Sequence, residues 1–203
     1  MFIRGAVAFV ILVAAYWGWA LAGTAQLASA ASRGDAEAVM ERVDLEALIR
    51  SLSSQIARAY LDDNPQLQKL MSQRGLGGGV LINAAAAQML LRAFLPPENI
   101  AALLKQGDVG SPYAGGAGTP WRMPPLGETF RARPLQAVMN SHFDGPLSFV
   151  VGLDSPDGRY GVHMHLSGTT WRLSGLDVPE PVTARAARLI AQRIGGAVAP
   201  HGD

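Results

Sequence analysis

The hydrophobic pattern divides the chain into parts with different periods. A run without charged side chains extends from Gly5 to Ala31. Between residues 32 and 106, apolar positions recur at three- and four-residue spacing, which indicates amphipathic helices. Between residues 135 and 179 the period is two, which is typical of strands with one buried face. The pattern predicts an α+β fold with an N-terminal membrane helix, a helical half, and a four-stranded antiparallel β-meander packed on the helices.

The N-terminal segment, residues 1–31, has two interpretations. A secretory signal peptide needs a basic start, a short apolar stretch and a small-residue cleavage site, and Arg4, Ala6–Ala15 and Ala28-Ser29-Ala30 supply these features. An uncleaved anchor needs about 20 apolar residues to cross about 30 Å of hydrocarbon, and Gly5–Ala25 reaches that length. We favour the transmembrane anchor and keep cleavage followed by secretion as the alternative.

Both interpretations place Arg4 in the cytoplasm, because positive side chains near a span stay inside. Both therefore export the domain predicted at residues 32–194. Tyr16, Trp17 and Trp19 follow the most apolar stretch and are of the type favoured at the outer headgroups. We predict an inner-membrane, single-pass protein whose C-terminal domain lies in the periplasm or outside the cell.

Helix starts are recognisable within the helical part, residues 32–106. Asp35 and Asp44 stand where N-cap side chains are preferred, and Pro65 and Pro97 suit the first helical position. These signals predict several short helices rather than one long one.

The remainder of the exported domain is predicted as a series of shorter elements. Residues 107–134 are assigned to a glycine-rich linker and an extended, proline-rich segment from Trp121 to Pro134. The β-meander occupies residues 135–179, a C-terminal helix residues 183–194, and a disordered tail residues 195–203. The predicted strands are Val138–Phe143, Leu147–Leu153, Tyr160–Leu166 and Thr170–Val178.

Composition excludes some classes of function. The chain has 17 basic and 16 acidic residues and a formal net charge of +1. This balance provides no excess of positive charge that would attract the phosphates of a nucleic acid. It has no cysteine, so disulfides and thiol chemistry are excluded. The glycine run Gly75–Gly79 lacks the Gly-Lys-Ser/Thr ending of a phosphate loop. We predict no cofactor and no nucleic-acid partner.

Several motifs occur together in the order found in one bacterial family. They are the aromatic-ended anchor, Arg33-Gly34-Asp35-Ala36-Glu37-Ala38 leading into Val43-Asp44-Leu45, Pro97-Glu98-Asn99-Ile100 with Leu103-Leu104, and Trp171-Arg172-Leu173 running to Val178-Pro179. In this order they resemble the domain-of-unknown-function family 2939, which groups small membrane-anchored envelope proteins. The resemblance covers most of Tyr16–Pro179 and implies an envelope location, but it offers no functional residue to carry over. The chain departs from the family at Glu46, where proline is frequent, and in its longer 107–118 linker.

Three histidines are the weak candidates for a metal site. His163 and His165 alternate on one predicted strand, so they share a face about 7 Å apart, and His142 on another strand is a possible third ligand. Zinc sites usually need three or four ligands. Because Met164 and its apolar neighbours point inward, the simpler interpretation leaves these histidines on the solvent side of the sheet, and we assign no metal and no catalytic residue.

The segment Val80–Leu95 is the candidate for ligand binding. It carries one charged residue, Arg92, and a helix that is apolar on most faces must be buried. It is too short to span a membrane, so it is a core helix, the lining of an apolar groove, or a segment that dips into the outer face of the nearby bilayer. The candidate ligand-binding residues are Val80, Ala86, Leu90 and Trp121.

Two classes of function stay open. The first is a non-enzymatic binding or scaffolding module, tethered to the membrane, with a protein partner or an apolar ligand. The second is a metal-dependent or hydrolytic envelope enzyme whose site is dispersed in the sequence. The chain shows no nucleophile elbow and no other catalytic motif, which favours the first class.

Overall fold

The structure, a computed structural model, describes residues 2–66, 69, 88, 91–92, 95–107 and 123–188. Its helices are α1 (Phe2–Arg33), α2 (Ala36–Met40), α3 (Leu45–Asp62), α4 (Pro97–Gln106), α5 (Leu126–Ala132), α6 (Pro134–Met139) and α7 (180–188). Its strands are β1 (Ser141–Phe143), β2 (Ser148–Ser155), β3 (Gly158–Ser167) and β4 (Thr170–Asp177). The architecture is mixed α+β with a four-stranded antiparallel sheet in the order β1-β2-β3-β4, which confirms the predicted fold class.

In the helical half, the helices at Asp35, Asp44 and Pro97 start where the local signals placed them. The Asp35 carboxylate accepts a hydrogen bond from the Ala38 amide, and the Asp44 carboxylate accepts one from the Ala47 amide, both at 3.0 Å. Each cap satisfies one of the backbone donors that the first helical turn leaves unpaired. Pro97 occupies the first turn of α4 and needs no hydrogen-bond partner for its nitrogen.

One face of the sheet forms the centre of the core. Phe149 pairs with Met164 across β2 and β3, and on the β4 side Met164 pairs with Leu173. Side chains on this face are at most 1% exposed: Phe149, Val151, Leu153, Tyr160, Val162, Met164, Trp171 and Leu173. Burial of a large apolar side chain contributes about 1.5–3 kcal/mol, so this face is a major source of stability.

The segment between α4 and β1 differs from the prediction. An extended chain was predicted from Trp121 to Pro134, but residues 126–132 form α5, and the first predicted strand begins at Ser141 rather than Val138 because α6 continues through Met139. The prolines precede the helices instead of interrupting them: Pro125 is the N-cap of α5 and Pro134 stands in the first turn of α6. Proline has the φ angle of a helix and is tolerated in the first turn.

The C-terminal helix also begins earlier than predicted. It starts at residue 180 instead of 183, and Pro181 lies in its first turn, where proline is tolerated. Residues 189–203, which include the predicted tail, lie outside the described residues.

The outer edge of β4 is covered by the helical half. Arg42 and Asp44 exchange backbone hydrogen bonds with Leu173, both at 2.8 Å. Further along, the Gln55 side-chain amide donates to the Leu176 carbonyl and accepts from the Val178 amide, at 2.6 and 2.9 Å. An uncovered edge strand would offer these groups to another chain, so α3 and the turn before it protect β4.

Helix α1 has two parts with different surroundings. The side chains of residues 4–15 are all exposed, whereas from Tyr16 onward the helix packs on α2, α4, α5 and β4. Side chains in its second half are at most 2% exposed: Ala20, Thr24, Leu27, Ala28, Ala30 and Ala31. It is the one helix among the described residues that is long and apolar enough to cross a membrane. The same helix therefore combines a candidate span with a core element of the fold.

A glycine sets the distance between α1 and the sheet. A Cβ atom added at Gly23 would lie 2.6 Å from the Cβ of Trp171, far inside van der Waals contact. At Gly18, one and a half turns earlier, an added Cβ would meet nothing within 4 Å. Gly23 thus brings α1 close to Trp171, and the aromatic rings of Tyr16 and Trp19, earlier on the helix, pack edge-on against the Trp171 ring.

Candidate functional site

An open pocket lies where α1 passes the β3–β4 hairpin. Its volume is about 580 Å³. Its lining comes from three separate places in the sequence: Trp19, Gly23 and Gln26 on α1, Glu41 and Arg42 after α2, and Thr169, Thr170, Trp171 and Arg172 on the hairpin. Because the contributing segments are distant in sequence, no local motif signals this pocket, and the sequence analysis did not identify it.

The polar groups of the pocket suit a ligand with an anionic group. Among the residues that the structure describes, the side chains of Arg42 and Arg172 form no ion pair or hydrogen bond. Glu41 contributes one carboxylate to the lining, so the three charged side chains leave a net positive charge. Guanidinium groups bind carboxylates and phosphates in a bidentate manner. An exposed Trp19 supplies an apolar wall beside them.

The predicted metal candidates share one face of the sheet. His142 pairs with Val150, which in turn pairs with His163, while His165 pairs with Ser148 and Arg172. All three histidines therefore project from the side opposite the core. Because two strand spacings of about 4.8 Å separate His142 from His163, these two do not converge. The described part of the chain contains no group of three His, Asp or Glu side chains that could hold a metal ion.

His163 has an acidic partner that the sequence analysis missed. Its Nε2 lies 2.6 Å from Asp177 Oδ2. Ser174 is an extra residue in β4, opposite the step from His163 to Met164. Because of this bulge, His163 pairs with Gly175. Asp177 lies two residues after Gly175 and therefore on the same face of the sheet as His163. Gly161, which pairs with Asp177, leaves space for the carboxylate, because an added Cβ would lie 2.7 Å from Oδ2. The pair orients an imidazole ring at the surface.

The residues predicted to bind an apolar ligand lie outside the described residues. This applies to Val80, Ala86, Leu90 and Trp121, and to the glycine run before them. Four other residues of Val80–Leu95 are described, namely Gln88, Leu91, Arg92 and Leu95. Leu91 and Leu95 are buried, and Arg92 forms an ion pair with Glu46 at 2.6 Å. The groove predicted along Val80–Leu95 therefore stays a prediction.

Residues 9–103 match the family described as "Protein of unknown function (DUF2939)". This match confirms the resemblance over α1 to α4, whereas the closing motif from Trp171 to Pro179 lies beyond the matched range. No curated protein matches the chain, and no solved structure does. The matched range starts at Phe9 and so includes the buried half of α1 together with α2 and most of α4, two of the helices that it contacts.

Proposed function

We propose that this chain is a single-pass protein of the bacterial cell envelope, in which an uncleaved N-terminal helix holds a non-enzymatic binding module outside the cytoplasm. The observation that carries the proposal is the burial of Leu27, Ala28 and Ala30, all at most 2% exposed. These residues belong to the possible cleavage site and to the turn before it. Cleavage there would remove most of α1 from the core, so the helix serves the fold and the tether at once.

A topology and mass experiment tests the tether. Alkaline phosphatase fused after the C-terminus should be active, because Arg4 holds the N-terminus inside, and the fusion should stay in the membrane fraction. The intact mass of the unfused protein should include residues 2–31. A soluble product that begins at Ala31, or activity only from a cytoplasmic reporter, would contradict the proposal.

The pocket beside α1 supports the binding part of the proposal, and we infer that its ligand carries an anionic group. Inorganic phosphate is a suitable first probe, titrated against the full chain in neutral detergent while the emission of Trp19 and its neighbours is followed. Hydrogen bonds to charged groups contribute about 1.5–3 kcal/mol, and about 1.4 kcal/mol corresponds to a tenfold change in affinity. We therefore expect Arg42→Gln and Arg172→Gln each to weaken phosphate binding by at least about tenfold.

Arg58→Gln is the matched control for the pocket variants. Arg58 is exposed on α3 and does not line the pocket, so its replacement removes the same charge without touching the site. Equal losses in all three variants would indicate general electrostatics and would contradict a specific site. Stoichiometric zinc in the purified protein, lost together with a hydrolytic activity on His163→Ala, would favour the enzyme instead.

A further inference from the structure

The described globular part exposes large apolar side chains on two segments that flank β1 in the sequence. Outside α1 they are Leu135, Val138, Met139 and Leu147, three on α6 and one in the β1–β2 turn. Leu135 and Met139 are 78% and 84% exposed. We refer to these four residues as the apolar edge, because they adjoin β1, which is an edge strand of the sheet. An exposed apolar patch marks a protein or membrane contact, and these four are the large apolar side chains that the described globular part exposes outside α1.

The apolar edge adjoins the point at which α1 leaves the fold. The Trp17 indole donates to the Ser141 hydroxyl at 3.2 Å, and that hydroxyl donates to the Val138 carbonyl at 2.7 Å. The Tyr16 hydroxyl donates to the carbonyl of Pro146, the residue before Leu147. Two aromatic residues of α1 are therefore tied to both segments that carry the edge.

The course of α1 shows on which side its free segment emerges. Tyr16 stacks on Phe143 of β1, with ring centroids 5.2 Å apart. Further along the helix, Trp19 and Gly23 contact Trp171 of β4. The helix crosses from β1 to β4 as it enters the fold, so its free N-terminal segment leaves past β1 and past the apolar edge.

The free segment is too short to cross a bilayer by itself. Residues 4–15 rise about 18 Å at about 1.5 Å per residue, whereas the hydrocarbon is about 30 Å thick. A span of about 20 residues that starts at Gly5 ends at Thr24, and Thr24 is fully buried in the fold. Part of the globular surface beside α1 must therefore lie at membrane depth, and the apolar edge is the surface in that place.

Polar contacts connect α6, which carries three of the four edge residues, to β2. Asp154 on β2 accepts hydrogen bonds from Gln136 at 3.2 Å and Asn140 at 3.0 Å, and from Arg159 at 2.9 Å. The hydrogen bond from the Arg159 guanidinium holds the pKa of the Asp154 carboxyl below its ordinary value. These hydrogen bonds join α6 and Asn140 to β2, and Leu135 and Met139 of the same helix are exposed.

We propose that the apolar edge is a membrane-docking surface, inserted among the outer headgroups and upper acyl chains of the bilayer that α1 crosses. The occupant is lipid, because the edge continues the surface of a helix that must itself meet lipid. Tyr16 and Trp17 at the junction are residue types enriched at that depth. The inference rests on the proposed anchor and adds that the domain sits on the bilayer in a fixed orientation, without a linker.

Single-cysteine labelling tests this surface, since the chain has no cysteine of its own. The full chain is reconstituted in vesicles of phosphatidylcholine and phosphatidylglycerol, and a spin label is placed by Leu135→Cys, Met139→Cys or Leu147→Cys. At each label, relaxation by oxygen, which concentrates in lipid, is compared with relaxation by a water-soluble nickel complex. The ratio of oxygen to nickel relaxation should be severalfold higher at the three edge positions than at Glu180→Cys. Glu180 is exposed at the start of α7 and serves as the aqueous control.

A label at Leu12→Cys separates the two proposals. Leu12 is exposed on the free segment and should report hydrocarbon depth. If Leu12 reports water, the anchor itself is wrong. If Leu12 reports lipid while Leu135 and Met139 behave like Glu180, the anchor holds and the docking surface is wrong. Protection of the edge from both reagents, with spin–spin broadening between chains, would assign the edge to a second copy and would also overturn the proposal.

Discussion

A chain that begins at Ala31 will not reach the native fold, whereas a chain that begins at Tyr16 will. The first truncation mimics signal-peptide cleavage and removes Ala20, Leu27 and Ala28 from the core. Loss of a single buried leucine side chain costs about 2–5 kcal/mol, and whole domains are stable by only about 5–15 kcal/mol. Removing a helix that contacts four other elements exceeds that margin.

The truncation beginning at Tyr16 is the matched control. It removes only residues whose described side chains are exposed. The truncation therefore deletes much of the candidate membrane span and leaves the core intact. Circular dichroism and thermal unfolding in the same detergent compare the two chains. If the chain beginning at Ala31 unfolded as cooperatively as the longer chain, α1 would not be needed for folding. The signal-peptide interpretation would then be favoured.

Much of the fold follows from signals that are local in the sequence. The caps at Asp35 and Asp44 depend on a side chain and an amide three residues away, so the residue type and the following pattern suffice. The β-meander is equally local, because short turns join successive strands and period-two alternation fixes which face is buried. These elements could be predicted because neighbouring residues decide them.

The features of the candidate sites were not predictable in this way. Gly18 and Gly23 look alike in the sequence, yet only an added Cβ at Gly23 would collide with Trp171. The contact of His163 with Asp177 depends on an extra residue in β4, a long-range irregularity that alternation does not reveal. The pocket likewise joins residues from three segments.

The burial of the second half of α1 was not predicted for a related reason. Alanine, glycine and leucine suit both a lipid-facing span and a tightly packed core helix, so hydropathy alone does not separate them. The difference lies in the neighbours: Ala28 and Gly127 bring α1 and α5 close together, since an added Cβ at Gly127 would lie 3.2 Å from the Ala28 carbonyl oxygen. The sequence analysis accordingly kept two interpretations, and the burial of the second half of α1 is the observation behind our proposal of an uncleaved anchor.

Trp171→Ala should destabilise the protein more than any other single substitution in the sheet. Trp171 is 1% exposed and packs against the rings of Tyr16, Trp19, Phe143 and Phe149. Truncation of a buried tryptophan to alanine costs about 3–5 kcal/mol. About 1 kcal/mol lowers the melting temperature of a chain of this size by about 2–4 °C, so we expect a decrease of about 6–20 °C, measured by calorimetry on the full chain in detergent.

Two further variants show which property of Trp171 matters. Its indole N–H is buried and has no hydrogen-bond acceptor among the described residues, so Trp171→Phe loses no hydrogen bond and should cost much less than Trp171→Ala. His163→Ala on the opposite face removes a partly exposed pair with Asp177, and such pairs are worth about 0–1 kcal/mol. Equal effects of Trp171→Ala and His163→Ala would mean that the strand register is shifted by one residue, because such a shift exchanges the two faces of the sheet.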